Sequence, residues 1–194
     1  RGEYCLTSKI ELLTGLVIGH RDGFGFVTRD DVKEDVYQSA RAMREAIDGD
    51  RIAFKVVGKD RRGRAEGRVV EVLERGVTEI AGQFIRERGI GVVVPDNPRI
   101  SHRMLIAKGE AGKAKHGEMV VAEILDYPTE HIQMTGRVTE VLGSPKKKGI
   151  ATDLAIHSHG IPTDWPNAVT AAVGKIGKSV PTAAKKGRED FRQV

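Results

Sequence analysis

The sequence predicts a mainly β protein: two five-stranded barrels in tandem, followed by a short helical C-terminal segment. Three observations carry that prediction. The pattern Gly-Arg-Val-x-Glu-Val-Leu occurs twice, at residues 67–73 and 136–142, and recurrence at a fixed period marks a duplicated structural unit. Upstream glycines repeat at nearly the same offset, Gly15 with Gly82, Gly23 with Gly89 and Gly49 with Gly117, with the drift expected of small loop insertions. Within the units, short runs of alternating β-branched and aromatic residues are bounded by Gly, Asp and Lys turns, the signature of half-buried strands. The 194 residues then divide into a lead-in over 1–12, barrels over 13–75 and 79–143, and a remainder over 144–194.

In the first unit GLVIGHR forms the first strand, GFGFVTRD the second, EDVYQ the third, GDRIAFKVVG the fourth and AEGRVVEVL the fifth. Between the third and fourth, Ala40, Met43, Ala46 and Ile47 keep helical spacing behind Ser39 as N-cap. Five strands with a short helix between three and four is the layout of a Greek-key barrel of the OB type. A unit of about 60 residues buries only roughly 60% of its unfolded surface, so each barrel is expected to lean on its neighbour.

Net charge is +5, which invites a nucleic-acid partner, but the excess is uneven. Basic residues exceed acidic ones by one over 1–75, fall one short over 76–143, and exceed them by five over 144–194. One local cluster stands out in the first barrel: Lys59, Arg61, Arg62 and Arg64 around Asp60 at a turn before the fifth strand. It reads either as a solvated hairpin tip or as a set of phosphate contacts. No apolar run of about 18 residues and no signal-peptide core occurs, and the lone Cys5 has no disulfide partner. Both favour a soluble chain in a reducing cytoplasm.

The chemistry suggested by the first barrel is stacking. Phe24 and Phe26 are two apart and emerge on one face of a strand, and Tyr37 on the neighbouring strand completes a three-ring surface. A base stacked on an aromatic contributes roughly 1–3 kcal/mol, so three rings supply about 3–9 kcal/mol before binding entropy is subtracted. His20 and Arg21, at the end of the preceding strand, are placed to stack on a base or touch a phosphate. In the second unit the matching strand is Gly89-Ile90-Gly91-Val92-Val93. Both rings are replaced by aliphatics there, and the only ring in residues 79–126, Phe84, is expected in the core. That unit reads as a wall or spacer.

The remainder starts with Ser144-Pro145-Lys146-Lys147-Lys148-Gly149, a linker-like break. A helical pattern follows with Ile150, Leu154 and Ala155 on one side, and Pro166 starts a second helix carrying Val169, Ala172 and Val173. His157 and His159 lack the further ligands a metal site needs. Beginning at Arg1 and ending after a basic stretch, the sequence reads as a piece of a longer protein.

At GFGFV, followed by DVY and GDRIAFKV, the sequence resembles a cold-shock domain, whose first RNA-binding motif is a K-G-F-G-F-like strand. The resemblance covers about residues 15–73. Where free-standing cold-shock proteins carry further exposed aromatics this chain has Gly19, Ser39 and Ala40, so the platform is reduced. The two units together with IATDLAIHSHGIPTDWP and VPTAAKKGREDFRQV resemble the N-terminal half of the ribonuclease R branch of the ribonuclease II family. That resemblance implies single-stranded RNA as ligand, a monomeric chain, and a following catalytic domain whose aspartates hold magnesium for 3′-to-5′ hydrolysis. None of those aspartates maps onto a position here, so the chain alone is expected to be inactive, with no cofactor of its own. A free-standing RNA chaperone and an OB module that docks proteins remain as alternatives.

Overall fold

The computed structural model describes residues 12–29, 34–176 and 182–189. The lead-in through residue 11, with Cys5, and parts of the 180–194 stretch lie outside them. The chain divides into two units, Arg1–Gly160 and Ile161–Val194.

Two closed barrels make up the first unit. The first is built from β1 (Leu13–Gly19), β2 (Gly25–Thr28), β3 (Val36–Gln38), β4 (Arg51–Lys59) and β5 (Ala65–Glu74), in the order β1-β2-β3-β5-β4. Its counterpart uses β6 (Glu79–Glu87), β7 (Ile90–Pro95), β8 (Met104–Ile106), β9 (Met119–Asp126) and β10 (Thr135–Gly143) in the same cyclic order. Every pairing is antiparallel except β3 with β5 and β8 with β10. The barrels close at equivalent pairs, Gly15 opposite Ile52 and Gly82 opposite Val120. The duplicated heptapeptide lies on β5 and on β10, the last strand of each barrel. Register shifts along both bend them around the barrel, as bulges do.

The expected helix between β3 and β4 is reduced to a single 3-10 turn, Ala42–Arg44. Ser39 supplies only its backbone carbonyl, to the Met43 N–H, and no side chain caps the turn. The helical spacing is used for burial nonetheless: Met43, Ala46 and Ile47 are buried, while Ala40 is exposed. What stops the helix is Asp50, whose carboxylate takes the Ile47 N–H while its own N–H donates to the Ile47 carbonyl.

The same segment joins the barrels. Val17, Val27, Val36, Met43, Ala46, Ile52 and Phe54 fill the first core, but Ile47 inserts into the second, among Ile80, Phe84 and Ile100. Fully buried Asp50 also accepts from the Gly76 N–H and from Arg75, at 3.0 and 2.9 Å. The Arg75 guanidinium lies 4.3 Å from the centroid of the Tyr127 ring, whose hydroxyl donates to the Val77 carbonyl. The mutual dependence expected from barrel size thus has a physical form.

Helix α1 (Ile150–Ser158) covers the outside of the second barrel, seating Ile150 and Leu154 against Ala81, Met119, Val121 and Leu142. Ala155, expected on that face, is exposed; the burial here repeats at four residues, 150 to 154, and the next turn offers His157. The second unit holds α2 (Asn167–Gly174), entered from Pro166, and α3 (Thr182–Lys185). Among the described residues no helix is long and apolar enough to cross a membrane.

Candidate nucleic-acid interface

On β2 the alternation is strict. Gly25 and Val27 point into the core while Phe26 is half-buried on the outside, and Phe24, one residue ahead of the strand, shares its face. Register places Phe26 opposite Tyr37 of β3, whose neighbours Val36 and Gln38 point inward. The three rings therefore meet outside the barrel: Phe24 to Phe26 at 5.8 Å, Phe24 to Tyr37 at 5.7 Å and Phe26 to Tyr37 at 6.0 Å between centroids.

A tight turn adds a fourth ring. The His20 N–H donates to the Phe24 carbonyl and the Gly23 N–H returns to His20, with Gly23 at φ +87°, a conformation that favours glycine. This stacks the His20 imidazole on Phe24 at 4.1 Å and 14°. Arg21 is not brought to the face; its side chain is 78% exposed beside Asp22.

The basic hairpin between β4 and β5 forms the opposite wall of a groove of about 690 Å³. His20, the three rings, Lys59, Arg61, Arg62 and Arg64 all line it, and so do Ser39, Asp60 and Glu66, which sequence reading had not assigned to the site. Lys59, Arg61 and Arg62 have no ion-pair partner among the described residues. Arg64 is different. Its Nε and Nη2 donate to Asp60 Oδ2 at 2.8 and 2.7 Å, and its guanidinium lies 4.5 Å from the Tyr37 centroid and 5.5 Å from that of Phe26. Burial pushes the Asp60 carboxyl up. The Arg64 side-chain hydrogen bond, the backbone N–H groups of Arg64 and Arg62 and the Arg64 charge outweigh it and hold the carboxyl below its ordinary value. An acid four residues before a cation across a glycine turn was the available sequence signal, masked by the density of like charges.

The second barrel offers no such face. Ile90 is exposed, Val92 is buried, and Phe84 is fully buried in the core. Two of its arginines are engaged with acids, Arg103 with Glu87 and Arg137 with Glu123, and the Arg86 guanidinium lies 5.9 Å from the Phe84 centroid. His102 stands at the joint with the first barrel, its Nδ1 buried without a hydrogen-bond partner. His157 sits between Glu79 and Glu140, and no group of three or more metal-ligating side chains occurs among the described residues.

Two closed five-stranded barrels of the OB type, one with an outward aromatic face beside a basic hairpin, define a tandem cold-shock-type module. Family models agree, with the ribonuclease B OB domain matching residues 15–72 and the cold shock domain residues 93–166. Ribonuclease R of Escherichia coli is 40% identical over 98% of this chain, which spans 24% of that protein. Ribonuclease R of Acidithiobacillus ferrooxidans is 37% identical over 100% of the chain, which spans 45% of it. The chain thus spans less than half the length of each of these curated relatives. Among solved structures, Mycoplasma genitalium RNase R in complex with ribose methylated single-stranded RNA superposes with a TM-score of 0.74 at 22% identity, over 89% of this chain and 28% of that one. Yeast Ssd1, a pseudonuclease, gives 0.64 at 16% identity, over 78% and 25%. The chain belongs to the ribonuclease R family, as its N-terminal tandem cold-shock-domain region.

Proposed function

We propose that this chain is the RNA-capturing part of a ribonuclease R-like 3′-to-5′ exoribonuclease. The first barrel stacks bases of single-stranded RNA on Phe24, Phe26 and Tyr37 while Lys59, Arg61 and Arg62 meet phosphates. Braced by α1, the second barrel acts as a wall, and Ile161–Val194 leads toward a catalytic domain that would hold the magnesium. The observation that carries this reading is the convergence of four rings and a basic hairpin on one groove. Stacking without base-edge readout suits an enzyme that must accept any transcript. The Mycoplasma genitalium relative captured with single-stranded RNA supports the ligand class.

Alanine at Phe24, Phe26 or Tyr37 should weaken binding of single-stranded RNA by about 1–3 kcal/mol each, while Ile90→Ala should have little effect. Fluorescence anisotropy with a labelled oligonucleotide measures both. Replacing Arg61 and Arg62 with Gln should also lower the slope of log affinity against log salt by about 1.4. Equal losses from the two barrels in folded variants would place the binding face elsewhere.

A further inference from the structure

Resting on the reading of this groove as the RNA site, we infer that Asp60 holds Arg64 as a latch over the stacking platform. A nucleobase takes the guanidinium's place on Tyr37 and Phe26, and the released guanidinium turns to a phosphate. The ring faces most central to the groove are not open. The Arg64 guanidinium stands over both, 4.5 Å from one centroid and 5.5 Å from the other, in the layer of space a stacked base needs.

The posture of Arg64 is built by the hairpin. Asp60 divides its oxygens between two tasks. Oδ1 accepts the backbone N–H of Arg62 and of Arg64, each at 2.9 Å, and so shapes the turn. Oδ2 takes both guanidinium donors. The turn itself closes through Asp60 N–H to the Arg64 carbonyl and Gly63 N–H to the Asp60 carbonyl. The carboxylate is only 10% exposed and the Arg64 side chain 37%, so this pair is sheltered in a way that Lys59, Arg61 and Arg62 are not.

The chemistry makes the latch selective. A free phosphate can draw off the guanidinium only by uncovering two rings to water. A free aromatic ring can displace it only by leaving the guanidinium without a second anion. A nucleotide strand supplies both replacements at once: a π-face for Tyr37 and Phe26, and an oxyanion for Arg64, whose fork suits phosphate. Arg64 is thus a specificity-determining residue, and Asp60 the residue that positions it.

The test uses the full chain and an oligouridylate of about eight nucleotides, within the site size of OB folds. Asp60→Asn keeps an Oδ1 for the two backbone amides, so the turn survives, but sets an amide against the guanidinium and opens the latch. Glu66→Gln removes a negative charge from the same groove without touching Arg64 and supplies the electrostatic baseline. Asp60→Asn should bind about two- to fivefold tighter than that baseline, the factor corresponding to one exposed cation–π contact no longer broken on binding. Arg64→Ala should bind more tightly than the unmodified chain at about 1 M salt, where charge is screened beyond about 3 Å. It should also show a salt slope lower by about 0.7, one phosphate contact. In the unmodified chain, the Arg64 Nε–H resonance should move on titration with the oligouridylate. Weaker binding by Arg64→Ala at high salt would mean that the guanidinium stacks on the base rather than yielding to it, and the latch would be wrong. If Phe24→Ala weakens binding but Asp60→Asn stays at the baseline, the latch fails and the RNA site stands. If Phe24→Ala has no effect, the groove is not the RNA site and both fall.

Discussion

The two barrels share a strand order, a closing glycine pair and a duplicated heptapeptide, yet they spend their phenylalanines differently. In the first, Phe54 fills the core from β4, and the neighbouring strand β1 contributes Val17. Register makes Ala122 the counterpart of Phe54 and Phe84 the counterpart of Val17. One ring therefore fills each core, but from a different one of two neighbouring strands, β4 in the first barrel and β6 in the second. Outward positions carry no such constraint. Phe24 and Phe26 become Ile90 and Val92, and the face that stacked rings is lost without harm to closure. The lesson is that the inward half of each strand specifies the barrel and the outward half specifies its use.

The largest effect that can test this comparison is in the cores. Phe84→Ala should destabilise the chain by about 3–5 kcal/mol, read from denaturant unfolding, whereas Phe24→Ala should change stability far less. Adding Ala122→Phe to a Phe84→Val background should recover part of the loss, because it moves the ring to the strand that carries it in the first barrel. A double variant no more stable than Phe84→Val alone would show that the cores are not interchangeable in this way.

The second difference lies at one inward position. Gln38 in the first barrel is fully buried with neither amide atom hydrogen-bonded, and its counterpart in the second is buried Ile106. A buried unpaired polar group costs about 1–3 kcal/mol, so Gln38→Met, similar in volume, should raise the unfolding midpoint by a corresponding amount. A destabilised variant would mean that an internal water serves the amide, and the first core would then be wetter than the second.

What the sequence made legible follows the same division. Period-two alternation placed the five strands of the first barrel and the repeated heptapeptide implied a second set, because those depend on local pattern; closure followed only from the likeness of the layout to an OB barrel. The alternation around Gly25 and Val27 also put Phe24 and Phe26 on the outer face. Local spacing misled between β3 and β4, where the helical pattern of Met43, Ala46 and Ile47 serves burial in two different cores, and Asp50 ends the turn. The joint through Asp50, Arg75 and Tyr127 links residues 25 and more positions apart, beyond any periodicity. The pairing of Asp60 with Arg64 was hidden for a different reason, since four cations compete for one acid and only the turn geometry chooses among them.

The smallest expected effect concerns the joint, where the barrels stop being comparable and become one body. His102 of the second barrel faces the Met43 and Arg44 backbone of the first, with Asp50 and Arg75 nearby. Burial lowers its pKa below 6.5, and the Arg75 charge adds to that; the backbone of Arg44 and Met43 and the Asp50 charge oppose it without cancelling it. The unfolded chain therefore takes up a proton near pH 6.5 that the folded chain accepts only at lower pH. The stability this group contributes is complete above about pH 6.5, declines as pH falls from there to the folded pKa, and is level below it. Each unit of lowering is worth about 1.4 kcal/mol, and because opposing influences act on the ring the slope should be shallow. Unfolding midpoints measured across that range should fall with acid in the unmodified chain and lose that component in His102→Gln. An identical slope in both would remove His102 from the joint's energetics and leave the carboxylates as its source of acid sensitivity.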